Sequence, residues 1–266
     1  MAVLTISRQL GSIDREIPQT MARLWDYEYV DRRKILEDLS AQGSQWEAFG
    51  KEFDEHYPNL WERFDRSFAG FVILSQSIIL NYALKNNVII VGRGGNFLLR
   101  EVPFALNVRI VAPIEQRLEE VMKRENLSRS AAELFVKKVD KEMSRAVHFI
   151  YGKNIDEPSS YDLFFDVGVI PVHDMMGTIR AALLEKDKLK TDTAMEALQM
   201  KALAKKVRAG IVTHPTLFIP VLDVIPAEGR LLVTGIVHNP DERKEVEAEV
   251  KKLAGSVPVE FALHYR

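Results

Sequence analysis

The stretch MAVLTISRQLGSIDREI (Met1–Ile17) decides the fold. An apolar, β-branched run, Val3-Leu4-Thr5-Ile6, stops at Ser7, passes through a short polar loop from Arg8 to Ser12, and reaches a helical pattern near Asp14. Buried strand, tight loop and helix start is the local order of a phosphate-binding loop. In such a loop, backbone N–H groups and the positive end of the helix dipole face an anion. The pattern G-x-x-x-x-G-K-[ST] is not met, because Gly11 is the only glycine of the loop and Asp14 brings a carboxylate to the place of a phosphate. Taken alone, a Gly-Ser pair after a strand is also an ordinary turn between strand and helix.

Working outward, Arg15 to Trp25 carries Ile17, Met21, Leu24 and Trp25 at helical spacing, and Tyr27 to Val30 alternates as a short strand. A polar and aromatic stretch, Gln42 to Leu60 with Trp46, Phe49, Phe53, Tyr57 and then Trp61, is the least regular part, a lid or substrate cover, and its aromatics read as core or cover before a base-stacking platform. Leu60 to Leu84 is expected as a long buried helix; it is interrupted by Ser75, Gln76, Ser77 and Asn81 and falls short of a membrane span. Val88 to Val91 is an unbroken β-branched run of the kind buried on both faces of a parallel sheet, and Gly92-Arg93-Gly94-Gly95 follows at once. Further strands are expected at Asn107 to Val111 and Leu163 to Val167. Helices are expected at Glu115 to Arg124, from Ser130 (capping box with Glu133) to Phe149, and at Met175 to Leu184. Strands alternating with helices predict an α/β fold, an open parallel sheet with helices on both faces. Ligands of such sheets bind beyond the carboxyl ends of the strands, where both loops would lie.

The charged run Glu185 to Asp192 breaks the pattern. The expected division is 1–186, a linker at 187–198, and a small α+β domain at 199–266 of helix, two strands, helix and strand. The 266 residues favour two domains. Net charge is −2, from 36 basic and 38 acidic residues, so no nucleic-acid partner is expected and phosphate binding must be local. Without cysteine, the chain has no thiolate nucleophile and no Cys-containing metal site. The six histidines show no ligand spacing. No signal peptide is read at the N-terminus, and a cytoplasmic location is expected.

Three segments together carry a resemblance: Ile6-Ser7-Arg8-Gln9 with Gly11-Ser12 and Arg15-Glu16-Ile17, then Tyr29-Val30-Asp31-Arg32, then Val91-Gly92-Arg93-Gly94. The chain resembles the cytidylate-kinase-like branch of P-loop nucleoside monophosphate kinases from Ala2 to about Leu184. That family's loop typically runs Gly-Ser-Gly-Gly-Arg-Glu, and here Ile13 and Asp14 replace the two later glycines. The resemblance implies transfer of the ATP γ-phosphate to CMP, dCMP or a related acceptor, with Mg²⁺. It places the donor phosphates on Gln9, Gly11, Ser12 and Arg15, with Arg15 in place of the usual lysine. It places the acceptor on Asp31, Arg93, Lys138, Glu142 and Arg145, the last three on one helical face. Arg15 and Arg145 would be the catalytic cations. Bland readings stand beside these: Arg93 as a salt-bridge partner of a neighbouring helix, and the Lys138 face as a solvated one.

The tail has its own likeness. Arg230 to Val237, Asp241 to Glu249 and Val257 to Phe261 are similar to the BON domain, a small bacterial module associated with attachment to membranes or ligands, and Gly235 fits its buried glycine. Its ligand is left open. Read with Asp14, this tail also allows a catalytically silent nucleotide-binding regulator.

Overall fold

Strand β1 (Val3–Arg8) is followed by helix α1 (Glu16–Trp25), β2 (Glu28–Val30), α2 (Arg32–Ala41), α3 (Ser44–Glu55), α4 (Arg66–Lys85) and β3 (Val88–Val91). The chain continues through α5 (Gly95–Leu98), β4 (Ala105–Val111), α6 (Ile114–Glu125), α7 (Arg129–Tyr151), β5 (Leu163–Asp166) and α8 (Val172–Asp187). It closes with α9 (Asp192–Val212), β6 (Leu222–Ala227), β7 (Arg230–Val237), α10 (Pro240–Ala254) and β8 (Val259–Tyr265). This computed structural model describes residues 2–14, 16–55, 66–92, 94–219 and 221–266. The chain divides into two units, Met1–Ile35 with Lys85–Ala194, and Leu36–Leu84 with Met195–Arg266. The expected linker at 187–198 holds the last residue of α8 and the opening of α9.

In the first unit, strands β1 to β5 run parallel in the order β2-β3-β1-β4-β5, the open parallel sheet that the alternation predicts. Side chains alternate across it. Leu4, Ile6, Leu106, Val108 and Ile110 enter one apolar core with Met21 of α1 and Met175, Ile179 and Leu183 of α8. Thr5, Ser7, Asn107 and Arg109 share the opposite face, paired as Thr5 with Asn107 and Ser7 with Arg109, and all four are buried. A buried polar face must supply its own hydrogen bonds. Thr5 Oγ1 donates to Asn107 Oδ1 at 2.8 Å, and the Asn107 side-chain and backbone amides both donate to Asp162.

The second unit has a sheet in the order β6-β7-β8, antiparallel then parallel, over a core of α9 and α10 residues such as Val207, Val246 and Val250. At Gly235 a Cβ would lie 2.7 Å from the Val221 carbonyl, so only glycine admits this close approach of backbone.

Several expectations need correction. Residues 44–55 are helical, not irregular. Trp46 is buried and Phe49 is 6.0 Å from it, while Gly50 lets Leu36 and Phe71 close against α3, so core packing explains these aromatics. Residues 56–65, with Tyr57 and Trp61, lie outside the described residues, as does any start of α4 before Arg66. Helix α4 is long and apolar enough to cross a membrane over Ser67–Lys85, although 67% of that stretch is buried within the protein. Helix α7 is capped by Ser128, whose Oγ accepts the Ala131 N–H at 3.4 Å, not by Ser130. Helix α8 begins earlier than Met175.

Candidate functional site

Because the five strands run parallel, the loops after β1, β2 and β3 open at one edge, where ligands of such sheets are held. The loop after β1 is anchored at several points. The Gln9 N–H donates to the Ile110 carbonyl at 3.1 Å and the Ser12 N–H to the Gln9 carbonyl at 3.2 Å. Gly11 has φ +76°, and a Cβ there would lie 2.6 Å from the Arg117 carbonyl; both facts demand glycine. Leu10 packs on the small cluster between α6 and α7 formed by Leu118, Val121, Ala132 and Val136.

The two residues that replace the resembling family's glycines have separate structural roles. Ile13 is 5% exposed and belongs to the core beside Leu4, Ile6 and Met21, so its side chain anchors the loop from below instead of filling its mouth. Asp14 is exposed, and its Oδ1 accepts the Glu16 N–H at 2.9 Å. That carboxylate takes one of the amides that open α1, a donor which an anion at this helix end would otherwise use. Ser12 turns inward, its hydroxyl donating to the Gln9 carbonyl at 2.9 Å.

Two buried arginines border the loop. Arg117, 4% exposed, donates from Nε to the Leu10 carbonyl at 2.8 Å and from Nη2 to Asp140 of α7 at 2.7 Å. Arg109, 2% exposed, donates from Nη1 to Ser7 at 2.9 Å and from Nη2 to Asp156 at 2.7 Å. Gln9, Arg109, Asp140, Met143, Ile155 and Asp156 line an open cleft of about 40 Å³, room for two or three waters at about 15 Å³ each. None of these charged residues was singled out from sequence. The available signal was Arg109 itself, a cation within the otherwise apolar run Val108 to Val111.

Asp31 lies at the carboxyl end of β2, where its Oδ1 accepts the Lys34 N–H at 3.1 Å and caps α2. Burial, reinforced by the Asp31 charge, raises the pKa of the neighbouring Tyr29 above its ordinary value, and the Arg8 cation opposes this. Arg8, part of the quoted loop but given no role from sequence, thus brings positive charge to the same edge. Arg15 and Arg93 lie outside the described residues. The Tyr151 ring at the end of α7 lies against Gly94 and stacks on Phe97 with centroids 5.4 Å apart.

On α7, Lys138 and Glu142 form a 3.9 Å pair, and Arg145 follows on the same flank. At about 100° per residue, this flank is roughly opposite Asp140, which faces the loop after β1 through Arg117. The structure therefore joins Gln9, Gly11 and Ser12 in one loop and sets Asp31 at the same edge, while Lys138, Glu142 and Arg145 form a separate, more exposed group.

For Mg²⁺, the described residues offer no group of three acidic or histidine side chains, and Ser12 has turned its hydroxyl inward. They do not build a cage for the ion. The fit is better for anions, given the αL glycine, the helix start and the flanking cations.

A parallel sheet in this order, with an anion-suited loop after its first strand and helices on both faces, is a P-loop kinase-like fold. The model of the cytidylate kinase-like family matches residues 3–169, and the chain belongs to that family. It is 26% identical over 184 residues to the cytidylate kinase of Pyrococcus abyssi, covering 68% of this chain and 93% of that protein. With the cytidylate kinase of Methanocaldococcus jannaschii it shares 24% identity over 186 residues, covering 68% and 97%. Among solved structures, an uncharacterized protein from Eubacterium ventriosum superposes with a TM-score of 0.55 at 17% identity, over 69% of this chain and 98% of that one.

Proposed function

We propose that this protein is an ATP-dependent phosphotransferase that moves the γ-phosphate to CMP, dCMP or a related small acceptor, in the cytoplasm. The observation that carries the reading is the loop Gln9 to Ser12, at the carboxyl edge of a parallel sheet, within the segment matched by the cytidylate kinase-like family. Phosphoryl transfer asks mainly for positioning and charge neutralisation. The donor triphosphate would lie along Gln9, Gly11 and Ser12 with Arg15 beside it, and Mg²⁺ would arrive on the nucleotide's own oxygens. The acceptor would meet Asp31 and Arg93, with Lys138, Glu142 and Arg145 approaching from the exposed flank of α7. Arg15 and Arg145 would offset the charge of the transferred group.

The test is ADP release from ATP with a panel of nucleoside monophosphates. Turnover with CMP or dCMP is expected, and no ADP with any acceptor overturns the reading. Arg93→Ala should raise the acceptor KM far more than the ATP KM; equal losses would mean that the two loops are misassigned.

Asp14 favours a second reading, a nucleotide-binding regulator without turnover, because its carboxylate already holds an amide of the α1 start. In that reading residues 199–266 act as a BON-like tail that attaches the protein to a partner or a membrane surface. ATP and CMP that raise the melting temperature without ADP release would select it.

A further inference from the structure

A charged side chain in the middle of a sheet strand needs a reason. Arg109 is 2% exposed while its partner Asp156 is half-exposed, and desolvation of the cation offsets much of the attraction, so the pair contributes little net stability. Its Nε is buried and makes no hydrogen bond among the described residues, so the guanidinium is not placed for its own best solvation. What the placement does achieve is a link between two segments. Nη1–H holds Ser7, the last buried residue before the phosphate loop, and Nη2–H holds Asp156, in the connection that leaves α7. Tyr161 completes the junction, its hydroxyl donating to the Ile155 carbonyl at 2.6 Å and reaching Ser7 at 3.5 Å. At the other side of the same cleft, Arg117 joins the Leu10 carbonyl to Asp140. The loop is thereby tied to the connection after α7 on the side before Gln9 and to α7 itself on the side after it.

We infer that Arg109 is a positioning residue, fixing the approach of β1 to the phosphate loop relative to the exit of α7 through the Ser7–Arg109–Asp156 link. This rests on the phosphotransfer reading above and deepens it. Arg109 touches no substrate. It sets where the Gln9–Ser12 loop stands relative to α7, and transfer is sensitive to such placement at the ångström level.

The test uses the full-length protein with Asp156→Ala, at a half-exposed position where folding is little at risk, and Arg109→Met, which keeps much of the buried volume. Each is expected to lower kcat about tenfold or more while the ATP and CMP KM values stay within about threefold. The double variant should lose no more than the worse single one, since both break the same link. Amide hydrogen exchange at residues 9–13 should quicken in both variants. A fall in melting temperature with unchanged kcat and unchanged loop exchange would make Arg109 merely structural and overturn the inference. If the wild-type protein releases no ADP, the phosphotransfer reading fails by itself. The loop exchange in Asp156→Ala then decides the link alone, faster exchange supporting it and unchanged exchange ending it.

Discussion

Both carboxylate oxygens of Asp140 accept from Nη2 of Arg117, at 2.7 and 2.8 Å, and this contact joins α7 to α6 directly beside the loop after β1. The guanidinium is buried, whereas the carboxylate side chain is 37% exposed. Losing the acid should therefore be worse than its own exposure suggests, because it leaves a cation in a dry place. Asp140→Ala is expected to cost about 2 kcal/mol, less than the full penalty for a wholly buried pair. Urea denaturation measures this, and an unchanged midpoint would show that Leu10 and water satisfy Arg117 without Asp140.

Asp14→Gly should free the Glu16 amide at the start of α1. Removing the exposed cap costs only a few tenths of a kcal/mol, about the difference between aspartate and glycine at such positions. The expected outcome is tighter Mg-ATP binding by calorimetry, together with a higher rate of ADP release. No change in either would mean that the donor phosphates do not reach this end of the helix.

Ser128 rather than Ser130 caps α7, which separates two substitutions only two residues apart. Ser128→Ala should destabilise the protein by about 1 kcal/mol, and Ser130→Ala by much less. Comparing melting temperatures of the two variants checks the assignment; a larger loss for Ser130→Ala would restore the capping box read from the sequence.

Burial raises the pKa of Tyr161 above the ordinary 10.0, with Ser7 and Arg109 acting in the opposite direction. The folded state then keeps the phenolic proton where the unfolded chain has begun to lose it. This contribution to stability is complete below the unfolded pKa and is lost as pH rises through the folded one. Tyr161→Phe lacks the titration, so its stability deficit against wild type should narrow between about pH 7 and about pH 11. A deficit that stays constant over that range, by denaturant titration, would place the hydroxyl in a less buried setting.

Helix α3 and the Lys138 flank show where sequence reading reached its limit. In α3, Trp46, Phe49 and Gly50 follow helical spacing, but the polar and aromatic composition around them resembles a cover loop. Only the fit of Leu36 and Phe71 against Gly50 makes the helix evident. For α7, the spacing of Lys138, Glu142 and Arg145 correctly gives one face, yet periodicity carries no information about what that face meets. The inward side belongs to Asp140, through a partner on α6.

The parallel α/β sheet, the loop at its carboxyl edge and the small α+β tail were legible in the residues alone. Apolar periodicity, glycine placement and short connections are local properties, and the handedness of strand–helix–strand units leaves few ways to assemble them. Only the packed chain shows that Ile13 anchors the loop from within the core, that Arg109 ties its approach to the connection after α7 and that Arg117 ties it to α7 itself. Ser7 and Arg109 are 102 positions apart and Arg117 and Asp140 are 23 apart. Whether a charge is solvated or buried against such a distant partner is fixed only when the strands and helices close on one another.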